Sequence, residues 1–255
     1  MSKGGQCHFH LDFNLVREHV ERAGASYKEP AEIRDHFGDH DHLHIGDLED
    51  VELLAFLDID HERKIQWLAI RGTDNLVNVK TDITITKHFD ESLGVPIHTG
   101  FLESSSAVYD WVRELLVDDY QLRLTGHSLG GAVAAILMMR FEHERLPLGP
   151  CFTFGQPKVT NEDGVNRFRH LNLWRVINED DVVPMTPPAF LFDAYEHFGN
   201  ELHLKEDGSY EAFNKHQSEI SSDGDFWANI GDMEADDHHV EHYISKINNI
   251  ATQDN

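Results

Sequence analysis

The chain is poor in cysteine and in basic residues, and each shortage excludes a class of protein. Two cysteines, Cys7 and Cys151, are too few for a disulfide framework and lack the spacing of a metal site. We therefore expect free thiols in a reducing compartment. Lysine and arginine number 21 against 46 acidic residues, which gives a formal net charge of -25. Because this field repels phosphate, we expect no nucleic acid or anionic membrane held by long-range attraction.

Long apolar runs are also absent. The stretch from Met1 to Asn14 has no apolar core of signal-peptide length, and no later run is long enough to span a membrane. No linker rich in proline, glycine or serine divides the 255 residues. We therefore expect one α/β domain over residues 1–255, cytoplasmic or released without a recognisable signal peptide, and not transmembrane.

The acidic excess is concentrated in two segments. Residues 31–62 hold eleven aspartates or glutamates against the single base Arg34, and residues 201–255 hold thirteen against three. Such surfaces are highly solvated, and salt reduces their self-repulsion. Our hypothesis is that the protein works in salt-rich surroundings.

A histidine- and acid-rich segment, Asp35 to His44, has the side-chain types of a metal site. Its members lie too close together to converge without a rigid turn, and no cysteine contributes. We therefore expect a solvated acidic loop and no bound metal.

The most informative segment is Leu122–Gly131, LRLTGHSLGG. It contains a Gly-x-Ser-x-Gly turn in which Gly126 and Gly130 flank Ser128. A nucleophilic serine in an α/β-hydrolase occupies a sharp turn between a strand and a helix, where any flanking Cβ would collide with neighbouring backbone.

The flanking sequence fits this turn. Residues 121–125 alternate as a strand does, and residues 132–141 are apolar nearly all round, as in a helix buried against a sheet. The order strand, turn, helix predicts an α/β-hydrolase fold with a central, mostly parallel sheet flanked by helices, and Ser128 as the nucleophile.

The acid of a catalytic triad should follow the serine in the chain and lie just after a core strand. The apolar-rich run 172–177 predicts such a strand, and three carboxylates follow it: Glu179, Asp180 and Asp181. We select Asp181 because it precedes the turn Val182-Val183-Pro184, whereas the other two would point to solvent or cap the turn.

The base must be a histidine further along the chain. The candidates are His197, His203, His216, His238, His239 and His242. Apolar residues recur at helical spacing from Val240 to Ile250, which predicts a final helix with Asp236 and Asp237 in its cap region. His238 then lies in the loop that leads to this helix and is our choice, with His239 as the alternative.

An oxyanion needs hydrogen-bond donors. The N–H of Leu129, directly after the nucleophile, is one. The second should come from a loop after an earlier strand, and the run 64–70 predicts such a strand. It leads to Thr73, which offers an N–H and a hydroxyl.

These motifs, in this order, resemble those of the class 3 lipases, the group of the filamentous-fungal triacylglycerol lipases. The similar segments are Arg71-Gly72-Thr73, His98-Thr99-Gly100-Phe101, Gly126 to Gly131, Phe154 to Val159, Asp181 to Pro184, and Asp237-His238 with Tyr243. The resemblance covers roughly residues 51–250. It implies that Asp82 orients the hydroxyl of Thr73. It also implies a short lid helix within residues 74–97.

The lid segment has only a narrow apolar stripe, formed by Leu76, Val77, Val79 and Ile83. A weak apolar face is buried weakly in a lipid interface. We therefore expect good activity on soluble or short-chain esters relative to interfacial activation. Other apolar residues are ambiguous between core and acyl groove: Phe190, Leu191, Phe192, Tyr195, Phe198 and Trp227. A supporting amino-terminal helix is expected over Phe9–Ala23.

The resulting hypothesis is a serine carboxylic-ester hydrolase acting on acylglycerols or other lipid esters, in transient contact with a lipid interface. The chemistry needs no metal and no organic cofactor. Two alternatives stay open: a phospholipase A or acyltransferase with the same triad, and a non-catalytic lipase-like binding module.

Overall fold

The architecture is that of a computed structural model, which describes residues 11–38, 41–73, 86–179, 181–187, 195–214 and 238–253. These ranges form six α-helices: α1 Phe13–Ala25, α2 Pro30–Phe37, α3 Thr99–Val112, α4 Leu129–His143, α5 Glu162–Phe168 and α6 Val240–Gln253. They also form ten strands: β1 Leu43–Leu48, β2 Leu53–Asp60, β3 Ile65–Ile70, β4 Lys87–Asp90, β5 Val95–His98, β6 Gln121–His127, β7 Cys151–Phe154, β8 Leu173–Asn178, β9 Asn200–Leu204 and β10 Tyr210–Phe213.

Eight of these strands form one central sheet in the order β1-β2-β3-β6-β7-β8-β9-β10. The five strands from β3 to β9 in this order pair in parallel, and the edges β1-β2-β3 and β9-β10 are antiparallel. The parallel strands β3, β6, β7 and β8 therefore present their carboxyl ends at one edge, where ligand and catalytic groups gather in open α/β sheets.

Helices cover the sheet in two layers. In one layer, α3 and α4 enclose the larger core, to which Val108, Val133 and Leu137 contribute. In the other layer, α1 packs against α6, and Val16, Val20 and Tyr243 meet the aromatic side chains of β7 and β8. The expected mostly parallel sheet flanked by helices is confirmed.

The predicted elements of the site are present. The expected strands correspond to β3, β6 and β8, and the expected helices to α4 and α6. The predicted bounds of the amino-terminal helix, Phe9–Ala23, were wrong, because α1 begins at Phe13 and extends to Ala25. The Asp12 side chain caps it by accepting the N–H of Asn14 at 3.0 Å, so the first turn of the helix follows Asp12.

The expected lid is described only in its second part. From residue 86 onwards the chain forms β4 and β5, which pair antiparallel as a separate two-stranded sheet. Asp82 and the apolar stripe of the lid lie outside the described residues. So do Cys7, Asp180, Phe190, Leu191, Phe192, His216, Trp227, Asp236 and Asp237. Tyr195 and Phe198 are buried, and Cys151 is a buried free thiol.

Across the described ranges, no helix is long and apolar enough to cross a membrane. Within the same ranges, no three histidine, cysteine or acidic side chains converge as metal ligands, and residues 39–40 of the acidic segment fall outside them.

Candidate active site

The turn that holds Ser128 lies between β6 and α4. Ser128 has φ 56° and ψ -127°, a backbone conformation that L-residues rarely adopt. Its N–H donates to the carbonyl of Phe154 on β7 at 2.9 Å, and its carbonyl accepts the N–H of Gly131 at 3.0 Å. Such strain costs on the order of 1–3 kcal/mol and persists only where the surrounding structure fixes it.

The flanking glycines are required by close packing. A Cβ on Gly126 would collide with the carbonyl group of Gly130. A Cβ on Gly130 would collide with the carbonyl of Ile70, at the end of β3. The collision expected from the sequence is therefore confirmed, and it shows that the start of α4 rests directly on the neighbouring strand.

A buried aspartate and a buried histidine are hydrogen bonded next to this turn. His238 Nδ1 lies 2.7 Å from Asp181 Oδ2, and the two residues are 2% and 3% exposed. The other carboxylate oxygen, Oδ1, accepts the N–H of Val183 at 2.9 Å. The hydroxyl of Tyr243, from α6, also donates to Oδ2 and accepts the N–H of Asn178 at 3.2 Å.

The competing candidates lie elsewhere. Glu179 is exposed and pairs with Lys205 at 3.3 Å. His239 and His242 are exposed. His197 donates through Nε2 to the carbonyl oxygen of Pro184 at 2.6 Å, and His203 bonds to Glu201 at 3.1 Å. Among the described candidates, His238 is the histidine that contacts Asp181.

Gly155 packs against this pair. It follows β7 with φ 58°, and a Cβ there would lie 2.7 Å from Asp181 Oδ2 and 2.6 Å from His238 Cε1. The preceding residue, Phe154, accepts the N–H of Ser128. The end of β7 therefore brings the serine turn and the aspartate–histidine pair together.

The end of β3 forms a further wall of the site. A Cβ on Gly72 would lie 3.1 Å from Ser128 Cβ and 2.6 Å from the carbonyl oxygen of His127. Thr73 is the next residue after this contact. On the other side of the serine, Leu129 opens α4, and the first N–H groups of a helix have no partner within it.

Three buried polar atoms of these residues lack a hydrogen-bond partner in the described part of the chain: Ser128 Oγ, His238 Nε2 and Thr73 Oγ1. Buried polar atoms are usually paired, so unpaired ones require an explanation. An imidazole whose Nδ1 is held by a carboxylate has Nε2 free to take a proton. A hydroxyl and a proton acceptor of this kind are the reactants of nucleophilic catalysis.

His98, in the segment preceding Phe101, is a buried histidine of a different kind. Its ring stacks on Phe101 with centroids 4.1 Å apart, and neither nitrogen has a hydrogen-bond partner among the described residues. Burial lowers the pKa of His98 to about 4. This histidine therefore stays neutral at physiological pH.

Sequence reasoning missed His127 and Tyr27. The His127 ring lies 2.8 Å from the hydroxyl of Tyr27 at Nδ1 and 2.5 Å from the carbonyl oxygen of His238 at Nε2. His127 occupies a variable position of the serine motif, so only its adjacency to Ser128 draws attention to it. Tyr27 is a hundred positions away, and no local pattern indicates it.

The mostly parallel sheet and the serine, histidine and aspartate at its carboxyl edge define the α/β-hydrolase class, with the composition of a serine-hydrolase site. Residues 67–191 match the model of the family Lipase (class 3). This match confirms the resemblance to the class 3 lipases that the motifs indicated.

Individual relatives agree. The chain is 30% identical over 159 residues to the secreted mono- and diacylglycerol lipase 1 of Fusarium solani, covering 59% of this chain and 47% of that protein. It is 29% identical over 155 residues to a lipase of Rhizomucor miehei, covering 56% and 42%. The chain thus matches less than half the length of these curated relatives.

Solved structures share the fold. The triacylglyceride lipase of Rhizomucor miehei superposes with a TM-score of 0.71 at 21% identity, covering 90% of this chain and 94% of that one. A lipase from Rhizopus microsporus var. chinensis gives 0.70 at 23% identity, with coverages of 88% and 86%. These likenesses confirm the α/β-hydrolase fold.

Proposed function

We propose that the protein is a serine carboxylic-ester hydrolase acting on acylglycerols or other lipid esters. The observation that carries the proposal is the buried hydrogen bond between Asp181 and His238, which leaves Nε2 open next to the strained turn of Ser128. The names of the relatives, a mono- and diacylglycerol lipase among them, support the substrate class. The continuous sheet from β1 to β10 supports a single domain.

The proposed reaction begins with attack of Ser128 Oγ on the ester carbonyl carbon, while its proton passes to His238 Nε2. Asp181 holds the imidazole in the required orientation. The N–H of Leu129 and the N–H and hydroxyl of Thr73 stabilise the oxyanion. We further propose that Asp82 orients this hydroxyl, as the family resemblance implies.

The tetrahedral intermediate then collapses. The bond between the carbonyl carbon and the leaving oxygen breaks, and the alcohol takes the proton from His238. Water, deprotonated by His238, attacks the acyl-enzyme in the same way, releasing a carboxylic acid and restoring Ser128. No metal or organic cofactor takes part in the proposed reaction.

The test is hydrolysis of a p-nitrophenyl ester series from acetate to palmitate. Ser128→Ala should abolish turnover, because it removes the attacking oxygen. Ser209→Ala, at an exposed turn before β10, is the matched control and should retain it. Turnover that survives in Ser128→Ala contradicts the assignment, and no turnover by the unaltered protein favours a binding module.

The substrate preference follows from the weak apolar stripe of the lid segment. We expect the rate on tributyrin to rise smoothly through its solubility limit, since little apolar area is available to insert into the droplet surface. The measurement is initial rate against tributyrin concentration. A large jump at the solubility limit would contradict this expectation.

A further inference from the structure

His127, the residue before the serine, bridges two other parts of the site. Its Nε2 lies 2.5 Å from the main-chain carbonyl oxygen of His238, and its Nδ1 lies 2.8 Å from the Tyr27 hydroxyl. The residue is 2% exposed. Both ring nitrogens are therefore engaged, and the contact with the His238 carbonyl is fully buried.

These contacts fix the tautomer. A carbonyl oxygen can only accept, so Nε2 of His127 carries the proton and donates it to the carbonyl of His238. In the neutral ring, Nδ1 is then the acceptor, and the hydroxyl of Tyr27 donates to it. Burial, together with the neighbouring His238 ring, holds the pKa of His127 well below its usual range. The neutral tautomer is the one that this environment selects.

The neutral state of His127 matters because its ring lies beside the ring of His238. The rings of His127 and His238 have centroids 4.5 Å apart. In the proposed reaction His238 becomes an imidazolium when it takes the serine proton. A second positive charge on His127 would oppose that step, because like charges at this separation repel strongly in a buried site.

His238 is thus held at two points. Asp181 holds its side chain through Nδ1, and His127 holds its main chain through the carbonyl. Because His127 is covalently joined to Ser128, the second contact ties the position of the base to that of the nucleophile. The Tyr27 hydroxyl also lies against the wall beside Thr73, where a Cβ on Gly72 would approach it to 2.5 Å.

We propose that His127 is a positioning residue that holds the general base His238 by its main chain, and that Tyr27 selects the tautomer in which it can do so. This inference rests on the proposed hydrolase function and adds two residues that act through His238. Neither residue is proposed to touch the substrate.

The test compares His127→Gln with His127→Met. Glutamine can place an N–H donor near the original Nε2, whereas methionine has similar length and no donor. We expect methionine to lower kcat about 100-fold with little change in KM, because it displaces the base without altering substrate binding. The kcat of the glutamine variant should be at least about tenfold higher than that of the methionine variant. Equal kcat values in the two variants would overturn the proposal.

A substrate-independent measurement separates this inference from the function on which it rests. Diethyl p-nitrophenyl phosphate phosphorylates an activated serine, and mass spectrometry locates the adduct. An unaltered protein that is neither labelled at Ser128 nor active on esters would refute the proposed function. Labelling at equal rates in the methionine and glutamine variants, with the unaltered protein labelled normally, would refute only the role of His127.

Tyr27→Phe is the second variant if methionine at position 127 prevents folding. Removing the hydroxyl leaves Nδ1 without its donor and no longer enforces the tautomer. We expect kcat to fall at least about fivefold at nearly constant KM. A kcat within about twofold of the unaltered protein would overturn the part assigned to Tyr27.

Discussion

The polar atoms of the site fall into two groups. Both carboxylate oxygens of Asp181 and both ring nitrogens of His127 make hydrogen bonds, which fix the orientation of these side chains. Ser128 Oγ, His238 Nε2 and Thr73 Oγ1 are buried without a partner in the described residues. Fixed groups around unsatisfied ones give a site whose hydrogen bonding is completed by the reacting molecule.

Replacement of Thr73 by valine tests the oxyanion hydroxyl. The two side chains have nearly the same shape, so Thr73→Val removes the oxygen and little else. We expect kcat to fall about 100-fold, the usual effect of losing one oxyanion donor. The melting temperature should fall only slightly, because a single hydrogen bond, the one proposed with Asp82, is lost.

Thr73→Ser is the matched control, since it keeps the hydroxyl and loses only a methyl group. Ester hydrolysis and thermal unfolding of both variants are the measurements. If the valine variant is as active as the serine variant, the hydroxyl does not stabilise the oxyanion.

Among the secondary-structure elements, the decisive contact is between the start of α4 and the end of β3. Gly130 allows the helix to lie directly on the backbone of Ile70 and Arg71. This approach brings the wall formed by Gly72 to Ser128. The geometry of the site therefore depends on the absence of a side chain at the helix start.

Gly130→Ala tests this dependence. Its methyl group would overlap backbone atoms that cannot move independently, and we expect a loss of about 1–3 kcal/mol in the free energy of unfolding. Gly100→Ala in α3 is the control, because its Cβ would make only ordinary contacts with His98, at 3.7 and 3.8 Å. Urea denaturation measures both, and equal stabilities would contradict the packing argument.

Sequence patterns identified the elements that carry strong local signals. The apolar runs of β3, β6 and β8 and the helical period of α6 predicted these elements. The position of Asp181 before a turn and of His238 before the last helix then selected the pair that the structure joins. The start of α1 was misplaced because one capping contact of Asp12 outweighed an apolar period. Tyr27 was missed because its contact with His127 depends on tertiary folding, which leaves no local pattern.

On the scale of the whole molecule, the charge is strongly one-sided. The net charge of -25 produces self-repulsion that destabilises the compact state, and dissolved ions screen it. We expect the melting temperature to rise between low salt and about 1 M NaCl, where the screening length falls to about 3 Å. A midpoint that does not rise with salt would contradict the hypothesis of a salt-rich setting.

Acid should destabilise the protein through its buried histidines. Burial lowers the pKa of His19 to about 3 and of His98 to about 4, from 6.5 for both. Below pH 6.5 these two histidines bind protons in the unfolded chain but stay unprotonated in the folded protein. The stabilisation is therefore complete above pH 6.5 and is lost as pH falls towards 4 for His98 and towards 3 for His19.

His98→Phe isolates one of these contributions, because phenylalanine keeps a ring to stack on Phe101 and cannot titrate. Between pH 6 and 4.5, each histidine that is protonated only in the unfolded chain changes the free energy of unfolding by about 1.4 kcal/mol per pH unit. We expect the variant to show a slope smaller by about that amount in urea unfolding. Parallel pH profiles for the two proteins would rule out this role for His98.

Gly155 bears on how activity is inferred across related chains. A relative with alanine at the matching position would retain the serine, histidine and aspartate, yet its methyl group would occupy the space now filled by the His238 ring and the Asp181 carboxylate. We expect such a relative to be catalytically inactive. A match at the serine, histidine and aspartate in an alignment is therefore not enough to infer an active enzyme. The glycine after β7 should be checked as a fourth position.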